Sequence, residues 1–134
     1  MNELRLSYLA GLFDGEGCIV VSKYKRKDRD GSKDYYCLRL KVANKNYEVI
    51  DLYREVFGYG SVYQDKRSDV WEWSLTSSGK IKEILTTLLP FLIVKRKQAV
   101  EALTFELGDN KPNANRVKAQ AELKERIHKL NHNV

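Results

Sequence analysis

Apolar residues crowd the start of the chain. Leu4, Leu6, Tyr8, Leu9, Leu12 and Phe13 predict a helix ending near Gly15-Glu16-Gly17. From Cys18 to Lys25 the residues are β-branched and alternating, which predicts a strand. A polar loop, Arg26 to Lys33 with Asp30-Gly31, separates it from a second strand, Tyr35 to Ala43. In that strand Leu38, Leu40 and Val42 share one side, and Arg39, Lys41 and Ala43 the other. Tyr47 to Phe57 predicts a helix with the stripe Val49, Ile50, Leu52, Tyr53, Val56 and Phe57, stopped by Gly58. Val62–Asp65 and Val70–Leu75 predict a second hairpin around the turn Lys66-Arg67-Ser68-Asp69. Its Trp71, Trp73 and Leu75 face the core by period two. Thr76-Ser77-Ser78 caps a further helix through Ile81, Ile84, Leu85, Leu88 and Leu89, which Pro90 breaks. Phe91 to Leu107 is expected to be helical, with Gly108 as its stop. After a loop from Asp109 to Asn113 containing Pro112, a last helix runs from about Ala114 to Leu130.

The order α-β-β-α-β-β-α, with additional C-terminal helices, predicts the α+β class: a four-stranded antiparallel sheet with helices on one face. The other face is then open to solvent. Alternation places Ser22, Tyr24, Arg26, Arg39, Lys41, Tyr63, Glu72 and Ser74 on it. Hydroxyl, aromatic and charged groups in that pattern suit base edges and phosphates, and a β-ribbon fits the major groove. The chain reads as a single domain over 1–134, with a core of about 4–107 and the last helix at about 114–130.

Charge sharpens this picture. The 134 residues carry a net +6. Residues 20–45 hold nine Lys or Arg against three acids, and residues 95–134 nine against five. The first nineteen residues and 46–94 are each slightly acidic. A basic segment of this kind points to a polyanion partner, though a merely solvated charged hairpin looks the same from charge alone. No run is long enough to span a bilayer and no secretory signal is seen, so an intracellular protein is expected, cytoplasmic or organellar. Cys18 and Cys37 are then expected to be reduced. His128 and His132 are expected to face solvent, and no Cys/His cluster has zinc spacing.

The stretch Leu9-Ala10-Gly11-Leu12-Phe13-Asp14-Gly15-Glu16-Gly17 decides between these readings. It resembles the LAGLIDADG motif, with Leu9, Ala10, Gly11, Leu12, Asp14 and Gly17 identical and Phe13, Gly15 and Glu16 departing from it. The element order over the first hundred residues also matches the single-motif homing endonucleases of that family. The resemblance implies a homodimer, since one chain carries one motif and two are needed. Leu9, Ala10, Gly11 and Asp14 are the residues expected at the subunit interface, where small side chains let helices approach. Glu16, assisted by the backbone carbonyl of Gly15, is the implied ligand of Mg²⁺ or another hard divalent cation such as Mn²⁺. Asp14 is also expected to have a structural role near the helix end.

Two further positions match the family pattern. Asn44 follows the second strand, where family members carry a polar residue that positions water; it also reads as a cap for the next helix. Within Pro90-Phe91-Leu92-Ile93-Val94-Lys95-Arg96-Lys97-Gln98-Ala99, Lys95 matches the lysine that reaches the cleavage site. Arg96 and Lys97 read as contacts to the DNA backbone. Arg54 is the nearest candidate for the family's further basic residue. The implied function is a staggered double-strand cut in a long, near-palindromic DNA site. No membrane and no small-molecule cofactor are expected. A non-catalytic DNA-binding regulator, an intron-splicing maturase on the same fold, and a plain basic interaction domain are the alternatives.

Overall fold

The computed structural model describes residues 2–28, 31–108 and 113–132. Asp30 of the expected turn and the expected loop at Asp109–Pro112 lie outside them. Helix α1 (Glu3–Glu16) is capped at its start by the side chain of Asn2, which accepts from the Leu4 N–H at 2.9 Å. It leads into β1 (Gly17–Asp28) and β2 (Gly31–Asn44). Then follow α2 (Tyr47–Phe57), β3 (Ser61–Asp65), β4 (Val70–Leu75) and α3 (Ser78–Leu88). A 3-10 turn (Leu89–Phe91), α4 (Arg96–Ala102) and α5 (Ala114–His132) complete the chain. All pairs are antiparallel, in the order β1-β2-β4-β3. The α+β arrangement read from the sequence is therefore the arrangement found.

The core forms where the apolar face of the sheet meets the helices. Ile19, Val21, Leu38, Leu40, Val42, Trp73 and Leu75 from the strands pack with Leu6, Leu9, Ala10 and Phe13 of α1 and with Ile81, Ile84, Leu85 and Leu88 of α3. Tyr53 is buried and stacks on Trp73 with ring centroids 5.2 Å apart. Its hydroxyl donates to the Leu9 carbonyl at 2.6 Å, which ties α2 to α1. Trp73 Nε1 donates to Tyr59 O at 2.8 Å. Gly60 has a positive φ of 99°, and a Cβ there would collide with the Trp73 indole, so two separate constraints call for glycine. No helix among the described residues is long and apolar enough to cross a membrane.

The structure departs from the sequence expectations in three places. The first hairpin is longer: twelve residue pairs run from Gly17↔Val42 to Asp28↔Gly31, taking in most of the predicted loop. Its outer half has no apolar face, yet Lys23 pairs with Asp34 at 3.5 Å and Tyr24 stacks on Tyr35. Cross-strand pairs of this kind support a ladder without a core. The predicted helix Phe91–Leu107 is broken. Leu92 is extended, and only Arg96–Ala102 is α-helical, ending at Leu103 rather than at Gly108. The cause is a pair of hydrogen bonds from outside the segment, described below. Finally, Ser77 is the N-cap of α3 but makes no side-chain cap bond, while the Ser78 hydroxyl accepts from the Leu38 N–H of β2 at 3.4 Å.

Candidate active site

The site begins at the sharp change from α1 to β1. Gly17 takes an extended conformation (φ −83°, ψ 165°) while its N–H still closes the helix on Phe13 O. A Cβ at Gly17 would strike the Phe13 ring and carbonyl, so only glycine turns the chain this tightly over a buried phenyl ring. The turn leaves Glu16, the last helical residue, exposed to solvent. The carbonyls of a last helical turn lack intrahelical partners and carry the negative end of the helix dipole. Carboxylate and carbonyl oxygens together form a hard donor set of the kind Mg²⁺ takes. Among the described residues no three His, Cys, Asp or Glu side chains gather within one chain.

Asp14 draws Lys95 to this point. One Asp14 carboxylate oxygen accepts from the Ile93 N–H at 2.8 Å and the other from the Lys95 N–H at 3.0 Å. Lys95 Nζ in turn donates to the Asp14 carbonyl at 2.8 Å. A residue 81 positions away is thereby fixed at the end of the motif helix, two residues from Glu16. These bonds also explain why residues 92–95 are not helical: two N–H groups point at Asp14. The Asp14 carboxylate is thus engaged within its own chain, while the residue stays partly exposed.

Leu9 and Ala10 do not take the place expected of them at a subunit interface. Both are completely buried inside the chain, so neither side chain is available to a partner. Leu4, Tyr8, Gly11 and Gly15 lie exposed along one stripe of α1, with Leu4 81% exposed. A Cβ at Gly11 or Gly15 would meet nothing within 4 Å, so the backbone is bare along that stripe.

Asn44 lies two residues beyond Val42, the partner of Gly17, and so reaches past the start of β1 toward the end of α1. Its Oδ1 accepts from the Asn46 N–H at 2.8 Å. The α2 cap is Asn46, which accepts from Val49 N–H at 3.1 Å. Asn44 therefore shapes the approach to the cap without being the cap. Arg54, the candidate for a further basic residue, is ion-paired with Asp51 on its own helix.

The strand registers place Ser22, Tyr24, Arg26, Arg39, Lys41, Tyr63, Glu72 and Ser74 on one face, opposite the helices. Lys33 and Tyr35 belong to the same face and were missed, although two-residue alternation from Arg39 leads directly to them. Tyr35 is central: Tyr24 stacks on it at 5.7 Å, and the Arg26 guanidinium lies over its ring at 5.3 Å. Cys18 faces Lys41 and Cys37 faces Ser22, so the two free thiols do not oppose each other. Burial pushes the Cys37 thiol up, with the Arg39 charge acting in the opposite direction. His128 and His132 are exposed, as expected.

A glycine-rich helix ending on an acid, a lysine held beside it and a polar sheet face form one constellation. The LAGLIDADG endonuclease family matches this chain over residues 9–101. The chain belongs to that family. It is 33% identical over 98 residues to the DNA endonuclease I-CreI of Chlamydomonas reinhardtii, covering 73% of this chain and 60% of that protein. It is 26% identical over 92 residues to the probable intron-encoded endonuclease Cox1-I1b of Schizosaccharomyces pombe, covering 67% of this chain and 23% of that one. It thus spans 60% of one relative and under a quarter of the other. The structure superposes on the homing endonuclease I-CvuI, solved with a DNA target in the presence of Mg, with a TM-score of 0.84 at 23% identity, covering 96% of this chain and 82% of that one. The archaeal intron-encoded I-Vdi141I, solved with DNA, gives 0.77 at 20% identity, with 96% and 84% covered. These likenesses establish the fold.

Proposed function

We propose that this protein is a divalent-metal-dependent homing endonuclease that binds double-stranded DNA as a homodimer and makes a staggered double-strand cut. The carrying observation is that Lys95 Nζ is held on the Asp14 carbonyl, two residues before Glu16 at the end of the motif helix and at the root of a polar, basic sheet face. Two copies joined along Leu4, Tyr8, Gly11 and Gly15 bring two Glu16 carboxylates near one axis. Like charges at short range repel, and hard cations between them relieve that repulsion. Glu16 and the Gly15 carbonyl would hold Mg²⁺ or Mn²⁺. When bound, such an ion offsets charge on a phosphodiester and on its leaving oxygen.

The chain's own residues do the rest. Glu16 would hold the cation to which one reacting phosphate is drawn, and the same residue of the partner copy would do so for the second. Lys95 offers a cation beside that position, where it stabilises developing negative charge or orients the attacking water. Asn44, which ends β2 two residues beyond the partner of Gly17, is assigned the role of holding that water. Each sheet lies in one major groove, and a two-fold protein selects a near-palindromic site.

Incubating a randomised duplex library with wild type plus Mg²⁺, with wild type plus EDTA, and with Glu16→Gln plus Mg²⁺ tests this reading. One long, near-palindromic cut site is expected in the first arm alone. Selective binding without cutting in every arm would replace it with a regulator or maturase on the same fold. Equal cutting by Glu16→Gln would remove Glu16 from the chemistry.

A further inference from the structure

Three buried side-chain atoms among the described residues lack a hydrogen-bond partner: Arg39 Nε, Glu72 Oε2 and Asp51 Oδ1. Asp51 lies on α2 and is ion-paired with Arg54. The other two both sit on the open face of the sheet, and neither residue has an ion pair among the described residues. Leaving a half-buried charged group unsatisfied is costly. Folded proteins keep very few such groups, and an incoming ligand is one reason to keep them.

Register gives their placement. Arg39 opposes Val20, and Glu72 opposes Ala43 on β2 and Tyr63 on β3. Gly17 opposes Val42, so Glu72 lies at the inner end of the face, close to the Glu16 turn. Arg39 lies four residues further out along β2, roughly 13 Å at the rise of a strand. That separation keeps the two charges from satisfying each other. Lys41, diagonal to Glu72, forms no ion pair with it.

The ligand's chemistry follows from the sign of each group. This step rests on the DNA reading given above. A phosphate would satisfy an arginine but repels a carboxylate, so the donor that duplex DNA can offer Glu72 is on a base edge. In the major groove a guanidinium takes O6 and N7 of guanine, and a carboxylate accepts from the N4 amino group of cytosine. We infer that Arg39 and Glu72 determine target specificity: Glu72 reads a cytosine, and Arg39 reads a guanine about four base pairs further from the cut. Two-fold symmetry repeats both preferences in the second half-site.

Selection from a randomised duplex library by binding in EDTA tests this independently of cutting. Wild type is expected to enrich cytosine and guanine at that spacing in each half. Arg39→Ala should reduce the guanine preference from roughly tenfold or more to near one, at that position only. Glu72→Gln should change the inner preference from cytosine to adenine, the base a carboxamide pairs with. A wild type that binds all sequences alike overturns both this inference and the DNA-site reading beneath it. A wild type that selects a site, while either variant leaves every positional preference unchanged, overturns this inference alone.

Discussion

Asp14 links the motif helix to the segment that carries Lys95, through two N–H bonds into its carboxylate and one from Lys95 Nζ into its carbonyl. Hydrogen bonds to a charged acceptor contribute about 1.5–3 kcal/mol each, and less where water has access. Asp14→Ala is therefore expected to lower stability by roughly 1–3 kcal/mol in urea denaturation. It should also slow single-turnover cleavage at least tenfold, because Lys95 loses its anchor; DNA affinity should change far less. Asp14→Asn, which keeps one acceptor oxygen, should recover part of both losses. A variant with wild-type stability would show that the tie is not what holds residues 93–95. The motif letters pointed to this residue, but its partners were hidden. Nothing within nine residues of sequence indicates a contact 79 positions away. Tyr35 shows the opposite case: simple alternation from Arg39 reaches it, and its ring supports both Tyr24 and Arg26.

At the scale of elements, a helix reveals its inner face in sequence only when its outer face is polar. Strand β4 satisfied the analogous condition, with Trp73 and Leu75 inward and Glu72 and Ser74 outward, and its faces were legible. Helix α1 does not. Leu4, Leu6, Tyr8, Leu9, Leu12 and Phe13 surround it almost completely, so Leu9 and Ala10 were assigned outward when they face the core. An apolar surround on a helix with Leu4 and Tyr8 exposed is itself informative, since a monomer gains nothing from leaving them in water. Gly11, bare on that stripe, is where two backbones would come closest. In the proposed dimeric nuclease, Gly11→Leu is expected to leave largely monomer in sedimentation velocity and no double-strand cutting, while far-UV circular dichroism stays unchanged. A dimeric, active Gly11→Leu protein would exclude this face. The long hairpin was underestimated for a related reason: Lys23 to Lys27 are polar on both faces, so period two has no contrast to show it.

For the whole molecule, the question is whether the net +6 acts as a diffuse field or through discrete contacts. Salt dependence separates the two, because each phosphate neutralised on duplex DNA contributes about −0.9 to the slope of log K against log salt. In the proposed dimer Arg26, Lys41 and the exposed Lys97 of α4 would each act twice, giving a slope of about −5 or steeper. A monomeric basic module with the same side chains would show about half of that. Lys97 is the informative residue to change. It stands on the first turn of α4, whose Gln98, Ala99 and Ala102 are buried, and so it is held on a fixed element beside Lys95. Lys97→Ala is expected to make the slope less steep by about two units, one phosphate per subunit, and to weaken binding similarly for cognate and unrelated duplexes. Fluorescence anisotropy across a salt series would measure this. An unchanged slope would place Lys97 off the DNA, and a loss confined to the cognate duplex would make it a reader of bases rather than of backbone.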